Sequence, residues 1–236
     1  MNYAVILSGG VGTRMRSDGF PKQYLNVRGK PVLIYALEPF QACEDVDAMV
    51  IVASPLWYKQ IEKWLRQYGI TKTVIFAENG ASRQDSVMQG IHAAVERFGL
   101  RAEDKVLIHE AVRPLVTTKL ICDCVDALER HDSCLPVIPI HDATYSTADG
   151  LVANGTVDRD TLCCGQCPEG FRTEKYLAWM ESVTPEQRQK IRGCSELPLL
   201  LGQTVGLVIG DHSNFKLTRP DDLALFEAHL VLREKK

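Results

Sequence analysis

The pattern of hydrophobic and polar positions divides the chain into short apolar runs separated by amphipathic segments. Six apolar runs predict buried strands, at residues 4–7, 49–52, 73–76, 106–108, 135–140 and 205–209. Segments with helical spacing lie between them, and in residues 86–98 one face carries Val87, Ile91, Ala94, Val95 and Phe98. Strands that alternate with helices predict an α/β fold, with a mostly parallel sheet covered by helices on both faces. Ligands are expected at the carboxyl ends of its strands.

Residues 141–161 interrupt this alternation, because they are polar, lack a helical face and contain the turn pairs Asp149-Gly150 and Asn154-Gly155. They predict a protruding β-hairpin, or arm. Such an arm is either a mobile loop or an element gripped by a second subunit. We favour the second subunit, since an isolated hairpin is marginally stable in water. The chain is therefore expected to be one domain, residues 1–236, that forms a homodimer through a dimerisation arm at 141–161.

The composition is that of an ordinary globular protein, with 236 residues of which 45% are hydrophobic and 24% charged. A net charge of −3 argues against a nonspecific nucleic-acid surface. The longest apolar stretch, residues 197–209, is interrupted by Gly202, Gln203 and Gly206, and no basic segment opens the chain. We expect a cytoplasmic protein without a nucleic-acid or membrane partner.

Eight cysteines raise the question of a metal site or of disulfides, above all at Cys122-x-Cys124 and Cys163-Cys164-x-x-Cys167. A zinc site would need a second paired cluster, and the other cysteines are scattered singly at positions 43, 134 and 194. Reduced structural thiols are expected, since a cytoplasmic location gives little reason for disulfides.

A glycine-rich turn, Ser8-Gly-Gly-Val-Gly-Thr-Arg14, follows the strand predicted at residues 4–7. Glycines without a Cβ allow positive φ and bring backbone N–H groups near phosphate oxygens, while Arg14 and Lys22 supply positive charge. This combination indicates a site for a nucleoside triphosphate. The glycines alone also fit a tight turn without a ligand, and their spacing is neither the P-loop nor the dinucleotide pattern. Arg14 and Lys22 therefore decide between the two interpretations.

Two further polar segments follow predicted strands. Asn79-Gly-Ala-Ser-Arg-Gln-Asp-Ser86 opens a helix, so its N–H groups, hydroxyl and guanidinium could meet a base or a phosphate; Ser82 could also be a simple N-cap. His109-Glu-Ala-Val-Arg-Pro114 places Glu110 where a carboxylate could hold Mg²⁺ against phosphates. The alternative is a surface pair of Glu110 and Arg113, and His109 is expected to be a hydrogen-bonded histidine at a strand end.

Near the C-terminus, Lys216 is predicted to lie on a short strand between two apolar residues. Solvation explains a lysine poorly there, so Lys216 is a candidate for a functional role. Pro220 is predicted as the first residue of a helix, with Asp221 and Asp222 as structural acids in its first turn.

The motifs of this chain resemble those of the sugar-alcohol-phosphate cytidylyltransferases, a family that includes the 2-C-methyl-D-erythritol 4-phosphate and ribitol-5-phosphate enzymes. The resemblance covers nearly the whole chain and is carried by six ordered motifs: Leu7-Ser-Gly-Gly-x-Gly-Thr-Arg-Met15, Pro21-Lys-Gln-Tyr24, Gly80-x-x-Arg83-x-x-Ser86, His109-Glu-Ala-Val-Arg-Pro114, Val157-Asp-Arg159 and Asn214-Phe-Lys-Leu-Thr218. It implies a Rossmann-like, GT-A-like nucleotidyltransferase fold, the substrate CTP, Mg²⁺, and a homodimer in which an arm completes the neighbouring site.

The resemblance also implies roles for individual residues. Arg14 and Lys22 would stabilise charge on the triphosphate, and Arg159 and Lys216 would bind the acceptor phosphate, so these four are the implied catalytic residues. The implied nucleotide-binding residues are Leu7, Ser8, Gly9, Gly10, Gly12, Thr13, Gly80, Ala81, Ser82, Arg83, Ser86 and Ala111. The implied acceptor-binding residues are Glu110, Arg113, Arg159, Cys167 and Lys216, and Glu110 is the implied metal ligand.

The implied chemistry needs no Ser-His-Asp or Cys-His constellation, and none stands out in the sequence. The attacking atom would be an oxygen of a phosphate monoester, which is largely ionised because its second pKa is about 6. Catalysis would consist of aligning the acceptor with the α-phosphorus of CTP and neutralising the charge that develops as pyrophosphate leaves.

Several motifs depart from the family pattern, mainly on the acceptor side. Glu110 stands where the family usually has Asp, and Gln166-Cys-Pro-Glu-Gly-Phe171 replaces Gln-Thr-Pro-Gln-x-Phe. Gly193-Cys-Ser-Glu196 replaces a Thr-Asp-Ala/Glu segment, and Thr144-Tyr145 stands near the family's Asp-Thr-Ile. We therefore expect CTP use to be retained and the acceptor to be the open question.

The opening strand, the segment Gly165-Gln-x-Pro168 and residues 183–190 are more similar to the ribitol-phosphate branch. The favoured function is transfer of CMP from CTP to ribitol 5-phosphate or a similar polyol phosphate, with release of pyrophosphate. The alternatives are the methylerythritol phosphate reaction of isoprenoid biosynthesis, a CTP-binding protein without turnover, and a structural dimerisation module that binds no CTP. The presence of all four implied catalytic cations favours the enzyme.

Overall fold

A mixed sheet of eight strands forms the centre of the fold in the computed structural model, which describes residues 1–10 and 20–234. The strands along the chain are β1 (Asn2–Leu7), β2 (Asn26–Val27), β3 (Lys30–Pro31), β4 (Ala48–Ala53), β5 (Thr73–Glu78), β6 (Lys105–Glu110), β7 (Ser133–Pro139), β8 (Thr144–Thr147), β9 (Ala153–Val157), β10 (Cys163–Gly165), β11 (Glu169–Arg172) and β12 (Gly206–Ile209). The sheet order is β10-β7-β11-β6-β1-β4-β5, with β12 paired to β7. Strands β6, β1, β4 and β5 run parallel, whereas β10 and β11 run antiparallel to their neighbours. The predicted mostly parallel sheet is confirmed.

Helices cover both faces of this sheet, as predicted. They are α1 (Val32–Ala42), α2 (Tyr58–Gln67), α3 (Arg83–Phe98), α4 (Thr118–Ala127), α5 (Thr173–Ser182), α6 (Pro185–Lys190), α7 (Glu196–Leu200) and α8 (Asp221–Glu234). Because side chains alternate along a strand, β1 contributes to two cores. Ala4 and Ile6 pack with α1, α2 and α4, while Tyr3 and Val5 pack on the opposite face with α3 and α5.

Local sequence chemistry sets where α3 begins. The Ser82 hydroxyl accepts a hydrogen bond from the Asp85 N–H at 3.1 Å, and the Asp85 carboxylate accepts one from the Ser82 N–H at 3.0 Å. This reciprocal capping box satisfies two N–H groups that the first turn would otherwise leave unpaired. The predicted N-cap role of Ser82 is confirmed, and α3 runs through residues 86–98, whose apolar face predicted a helix.

Three local predictions need correction. Strand β6 continues to Glu110, so His109 and Glu110 are its last residues instead of following it. Lys216 lies in an extended segment that pairs with no described strand, because its neighbours bond instead to a loop, with the Leu217 N–H donating to Val112 O at 2.8 Å. Helix α8 begins at Asp221, one residue after the predicted Pro220, and the Asp222 carboxylate accepts hydrogen bonds from residues 218 and 219.

The predicted arm is present as an antiparallel hairpin of β8 and β9, with Tyr145 paired opposite Thr156. Residues 145–156 are exposed, and the hairpin forms a two-stranded sheet separate from the central one. Its use as a dimerisation arm stays a prediction. None of the helices in the described part of the chain is long and apolar enough to cross a membrane.

Candidate functional site

A cavity of about 470 Å³ opens at the carboxyl ends of the parallel strands. This is the edge at which α/β folds of this type bind ligands. The cavity brings together eleven of the residues selected from the sequence: Leu7, Gly9, Gly10, Lys22, Gly80, Ala81, Ser82, Arg83, Ser86, Glu110 and Lys216. Gly12, Thr13 and Arg14 lie outside the described residues.

The turn after β1 passes very close to the turn after β5. A Cβ added to Gly9 would lie 2.5 Å from the Cβ of Asn79, far inside normal contact distance, so only glycine fits at position 9. Neither Gly9 nor Gly10 has a φ in the left-handed region, so the positive φ that glycine allows is not used at either position. The close approach of the Asn79 side chain to the Gly9 backbone is what requires glycine here.

Gln23 holds this glycine turn from below and was not selected from the sequence. Its side-chain amide is buried and donates to the carbonyl oxygens of Ser8 at 2.7 Å and Gly10 at 2.9 Å. The Tyr24 hydroxyl also donates to Ser8 O, at 3.1 Å. Its position inside the Pro21-Lys-Gln-Tyr24 motif was the only indication in the sequence, because its burial and its partners depend on the folded turn.

The backbone N–H groups of two selected residues already donate hydrogen bonds within the fold. The Ser8 N–H donates to Val52 O at 2.8 Å, and the Ala111 N–H donates to Leu7 O at 3.1 Å. Any contact that Ser8 or Ala111 makes with a nucleotide must therefore use other atoms.

The loop between β5 and α3 is organised by Ser86. Its hydroxyl accepts a hydrogen bond from the Gly80 N–H at 3.1 Å and donates to Ser82 O at 2.9 Å. A Cβ at Gly80 would lie 2.3 Å from the Asp85 Cβ, so glycine is required at this position as well. The loop presents its backbone to the cavity in one fixed arrangement.

Two lysines that are distant in sequence meet on one side of the cavity. Lys22 donates to Leu217 O at 2.7 Å, and Lys216 donates to the Oε1 atom of Glu110 at 2.6 Å. The segment that carries Lys216 thus receives a hydrogen bond from the segment that carries Lys22. This places two ammonium groups beside the glycine turn.

Glu110 is surrounded by cations. Besides Lys216, the Arg113 Nε lies 3.2 Å from its Oε2 atom and the Arg83 Nε lies 3.8 Å from its Oε1 atom. Burial of Glu110 favours the neutral acid, but the charges of Lys216, Arg113 and Arg83 outweigh it and lower the pKa of Glu110 to about 2. Glu110 is therefore ionised at neutral pH, and the predicted exposed surface pair is instead a largely buried cluster.

Arg83 is fixed by residues that the sequence analysis did not select. Its Nη2 donates to the Oε1 atom of Glu169 at 2.8 Å, and its Nη1 lies 3.0 Å from the Cys194 Sγ. The other oxygen of the buried Glu169 carboxylate accepts from the Ser195 N–H at 2.7 Å and the Ser195 hydroxyl at 2.8 Å. Glu169 and Cys194 fall in the two segments that depart from the family pattern, which was the available indication.

The remaining selected residues lie around or outside this cavity. Arg113 donates to Asn214 O at 2.8 Å, and the Asn214 amide donates to Cys167 O at 2.7 Å. The Cys167 thiol is buried, and burial followed by the charges of Glu110 and Glu169 raises its pKa, so it is a neutral thiol. Arg159 lies at the base of the arm, shortly after β9, is half-exposed, and donates to His141 O outside the cavity.

His109 is a structural residue, as expected from the sequence. One ring nitrogen, Nε2, lies 3.1 Å from Arg113 O, and the ring contacts Phe40 at a centroid distance of 5.1 Å. Complete burial lowers the pKa of His109 to about 4, so the imidazole is neutral at neutral pH. It lies below the cavity and does not line it.

Comparison with known proteins gives one consistent result. The family model described as 2-C-methyl-D-erythritol 4-phosphate cytidylyltransferase matches residues 2–233. A ribitol-5-phosphate cytidylyltransferase of Lactiplantibacillus plantarum is 32% identical over 97% of both chains. A 2-C-methyl-D-erythritol 4-phosphate cytidylyltransferase of Geobacillus thermodenitrificans is 34% identical over 99% of both chains.

The solved structures agree on the fold. The 4-diphosphocytidyl-2C-methyl-D-erythritol synthase of Anaerococcus prevotii has a TM-score of 0.80 at 22% identity, over 98% of both chains. The 2-C-methyl-D-erythritol 4-phosphate cytidylyltransferase of Thermus thermophilus has a TM-score of 0.73 at 26% identity, over 97% of this chain and 98% of that one. The sheet and its helices are thus those of this group of nucleotidyltransferases.

Proposed function

Because the chain belongs to the 2-C-methyl-D-erythritol 4-phosphate cytidylyltransferase family and is a CTP-dependent cytidylyltransferase, we propose that it transfers CMP from CTP to ribitol 5-phosphate or a closely similar polyol phosphate. Pyrophosphate is the second product. The observation that carries this proposal is the convergence of Lys22, Lys216 and Arg83 on one cavity at the carboxyl edge of the sheet.

The glycine turn and the loop before α3 form the nucleotide side of the cavity. Gly9 and Gly10 present main chain without side chains, and residues 80–86 form a rigid loop against them. Such a surface admits a triphosphate and a base at close range. Lys22, anchored on Leu217 O, brings positive charge to the phosphates.

The reaction needs alignment and charge neutralisation. An ionised oxygen of the acceptor phosphate attacks the α-phosphorus of CTP, a new P–O bond forms, and the bond between the α-phosphorus and the bridging oxygen breaks to release pyrophosphate. Lys216 binds the attacking phosphate and Lys22 neutralises the leaving group. No general base is required, because the attacking oxygen is already ionised at neutral pH.

Enzymes of this family usually use a divalent metal, and we propose Mg²⁺ for this chain. Glu110 is the one carboxylate among the described residues that line the cavity, and hard oxygen donors suit Mg²⁺. The ion would supply positive charge to the triphosphate when bound. Because Lys216 and Arg113 already occupy the Glu110 oxygens, most of the metal ligands would be phosphate and water oxygens.

We place the specificity for the acceptor in the altered residues on the other side of Arg83. Glu169 stands where the family pattern has an amide side chain, and Cys167 stands where it has a hydroxyl. Cys194 belongs to the segment that replaces the family's Thr-Asp-Ala/Glu. Glu169 and Cys194 bind Arg83 directly. Apart from this contact to Arg83, the residues of the nucleotide side keep the family motifs. An acceptor that differs from methylerythritol phosphate fits this asymmetry.

An acceptor panel tests the proposal. Pyrophosphate release is measured with CTP, and with UTP as the nucleotide control, against ribitol 5-phosphate, 2-C-methyl-D-erythritol 4-phosphate and related polyol phosphates. We expect the largest kcat/KM with CTP and ribitol 5-phosphate. A clear preference for methylerythritol phosphate would overturn the choice of acceptor. Calorimetric CTP binding with background turnover for every acceptor would overturn the enzyme assignment.

A further inference from the structure

Two cysteines that are separated by 79 residues meet at the end of the sheet opposite the cavity. Cys43 is the residue that follows α1, and Cys122 lies on α4; their sulfurs are 3.2 Å apart. The carboxylate of Asp45, in the loop that leads to β4, lies within 4.8 Å of both sulfurs. Sequence spacing gave no indication of this cluster, because its members come from three separate segments.

The distance between the sulfurs distinguishes two uses of such a pair. Tetrahedral coordination with Zn–S bonds of about 2.3 Å separates two sulfurs by roughly 3.7 Å, whereas a disulfide joins them at about 2.05 Å. From 3.2 Å, metal binding requires the sulfurs to move apart by about half an ångström, which a small side-chain rotation supplies. Disulfide formation requires an approach of more than about 1 Å.

We propose that Cys43, Cys122 and Asp45 form a second metal site, for a thiophilic divalent cation such as Zn²⁺, with water as the fourth ligand. Two thiolates and a carboxylate are a donor set that zinc uses and that Mg²⁺ does not. This site is therefore chemically distinct from Glu110 in the cavity.

The surroundings of the cluster suit the charge of the bound state. Binding of the cation releases one proton from each thiol to solvent, so a dication and three anionic ligands leave one net negative charge. The Lys72 ammonium, from the segment before β5, donates to the carbonyl oxygens of Cys43 and Val46. It ties down both ends of the loop that carries Asp45 and adds a positive charge next to it.

A cation can reach the site from solvent. Cys43 is fully buried, but Cys122 is partly exposed and Asp45 is exposed. Because each thiol loses its proton on binding, the affinity for the cation should rise with pH.

Titration of the full-length protein with Co²⁺ tests the site, because a thiolate–cobalt bond gives a charge-transfer absorption in the near ultraviolet and oxygen ligands alone do not. We expect one equivalent of Co²⁺ to produce this band and Zn²⁺ to abolish it by displacement. Cys122→Ser should remove the band, and Asp45→Asn should weaken Co²⁺ binding on the order of tenfold or more. Asp45 is exposed, so its substitution leaves the fold intact.

The exposed pair Cys163 and Cys164 provides the matched control. The double variant Cys163→Ser/Cys164→Ser should keep the band, and Zn²⁺ should raise the melting temperature of the wild type and of this control but not of Cys122→Ser. A band that persists in Cys122→Ser, or that disappears only in the control variant, would refute the proposal. Formation of a Cys43–Cys122 disulfide in air with no cobalt band would also refute it. Neither result changes the expected CTP turnover, so the proposed reaction can hold even if this metal site is refuted.

Discussion

Glu169 accepts a hydrogen bond from Arg83 at 2.8 Å, so a buried carboxylate fixes the guanidinium at the edge of the cavity. The same guanidinium lies 3.8 Å from Glu110, which binds Lys216. The residues altered relative to the family therefore act on the site through Arg83. This connection gives the first prediction.

Glu169→Gln should lower kcat/KM for the acceptor by about tenfold and destabilise the fold by about 1–3 kcal/mol, because a hydrogen bond to a buried charged group is lost while the shape is kept. Steady-state kinetics and urea unfolding measure both effects. Glu181→Gln, which removes an exposed carboxylate on α5, is the control and should change neither quantity. If Glu169→Gln had the kinetic constants of the wild type, the altered segments would have no role in catalysis.

Lys22→Ala should lower turnover by about a hundredfold or more, since one charge that stabilises the transition state is removed. Loss of the hydrogen bond to Leu217 O should lower its free energy of unfolding by about 1 kcal/mol, far less than the loss of transition-state stabilisation. Pyrophosphate release and urea unfolding are compared with Lys63→Ala, an exposed lysine of α2. Inactivation that merely parallels unfolding would argue against a catalytic role for Lys22.

Glu110→Gln should raise the Mg²⁺ concentration that gives half-maximal turnover, because the carboxylate at the cavity is lost. Removal of divalent cations with a chelator should stop turnover by the wild type, and added Mg²⁺ should restore it. Pyrophosphate release over a Mg²⁺ series measures this. The exposed Glu103→Gln variant should follow the wild-type curve. A curve for Glu110→Gln that coincides with the wild type would exclude Glu110 as a metal ligand.

The buried His109 should make the fold sensitive to mild acid. Its folded pKa of about 4 lies below the unfolded value of 6.5, so the unfolded chain binds the extra proton between these values and stability falls as the pH drops. From about pH 7 to about pH 5 the loss should be about 2 kcal/mol. Urea unfolding at both pH values measures it. His109→Gln should reduce this pH dependence, whereas the exposed His92→Gln should keep it.

A mixing experiment tests whether the arm serves the neighbouring subunit. Arg159→Ala and Lys216→Ala should each abolish most turnover when assayed alone. If the chain forms a homodimer in which Arg159 acts on the partner's site, mixed dimers of the two variants contain one intact site and should regain up to about a quarter of wild-type activity by random pairing. Turnover is measured after the variants are unfolded and refolded together. If no activity returns although mixed dimers form, Arg159 acts within its own subunit or not at all.

The sequence predicted the framework of the fold because burial patterns are local. Strand β4 is completely buried and appears as an uninterrupted apolar run, and Ser82 with Asp85 specifies a helix start within four residues. Lys216 was assigned to a strand because a lysine between apolar residues has the alternation that is typical of a strand. That assignment was wrong. Its segment instead folds along the loop after β6.

The partners of the site residues could not be read from the sequence, because they depend on contacts between distant segments. Glu169 is 86 residues from Arg83, and its role appears only when β11 is inserted beside β6. Gly9 was correctly selected as a site residue, but the reason why glycine is required there was missed. The contact with Asn79 comes from a distant segment, so no local sequence pattern indicates it. Cys43 and Cys122 are likewise single cysteines until α1 and α4 pack together.

The bond between Lys22 and Leu217 spans 195 residues. During translation, β1 and its glycine turn leave the ribosome long before the lysine that faces them has been polymerised. A nascent polypeptide can therefore form most of its sheet while Lys216 and its segment are still missing from the cavity. Catalytic competence is thus acquired among the last steps of synthesis.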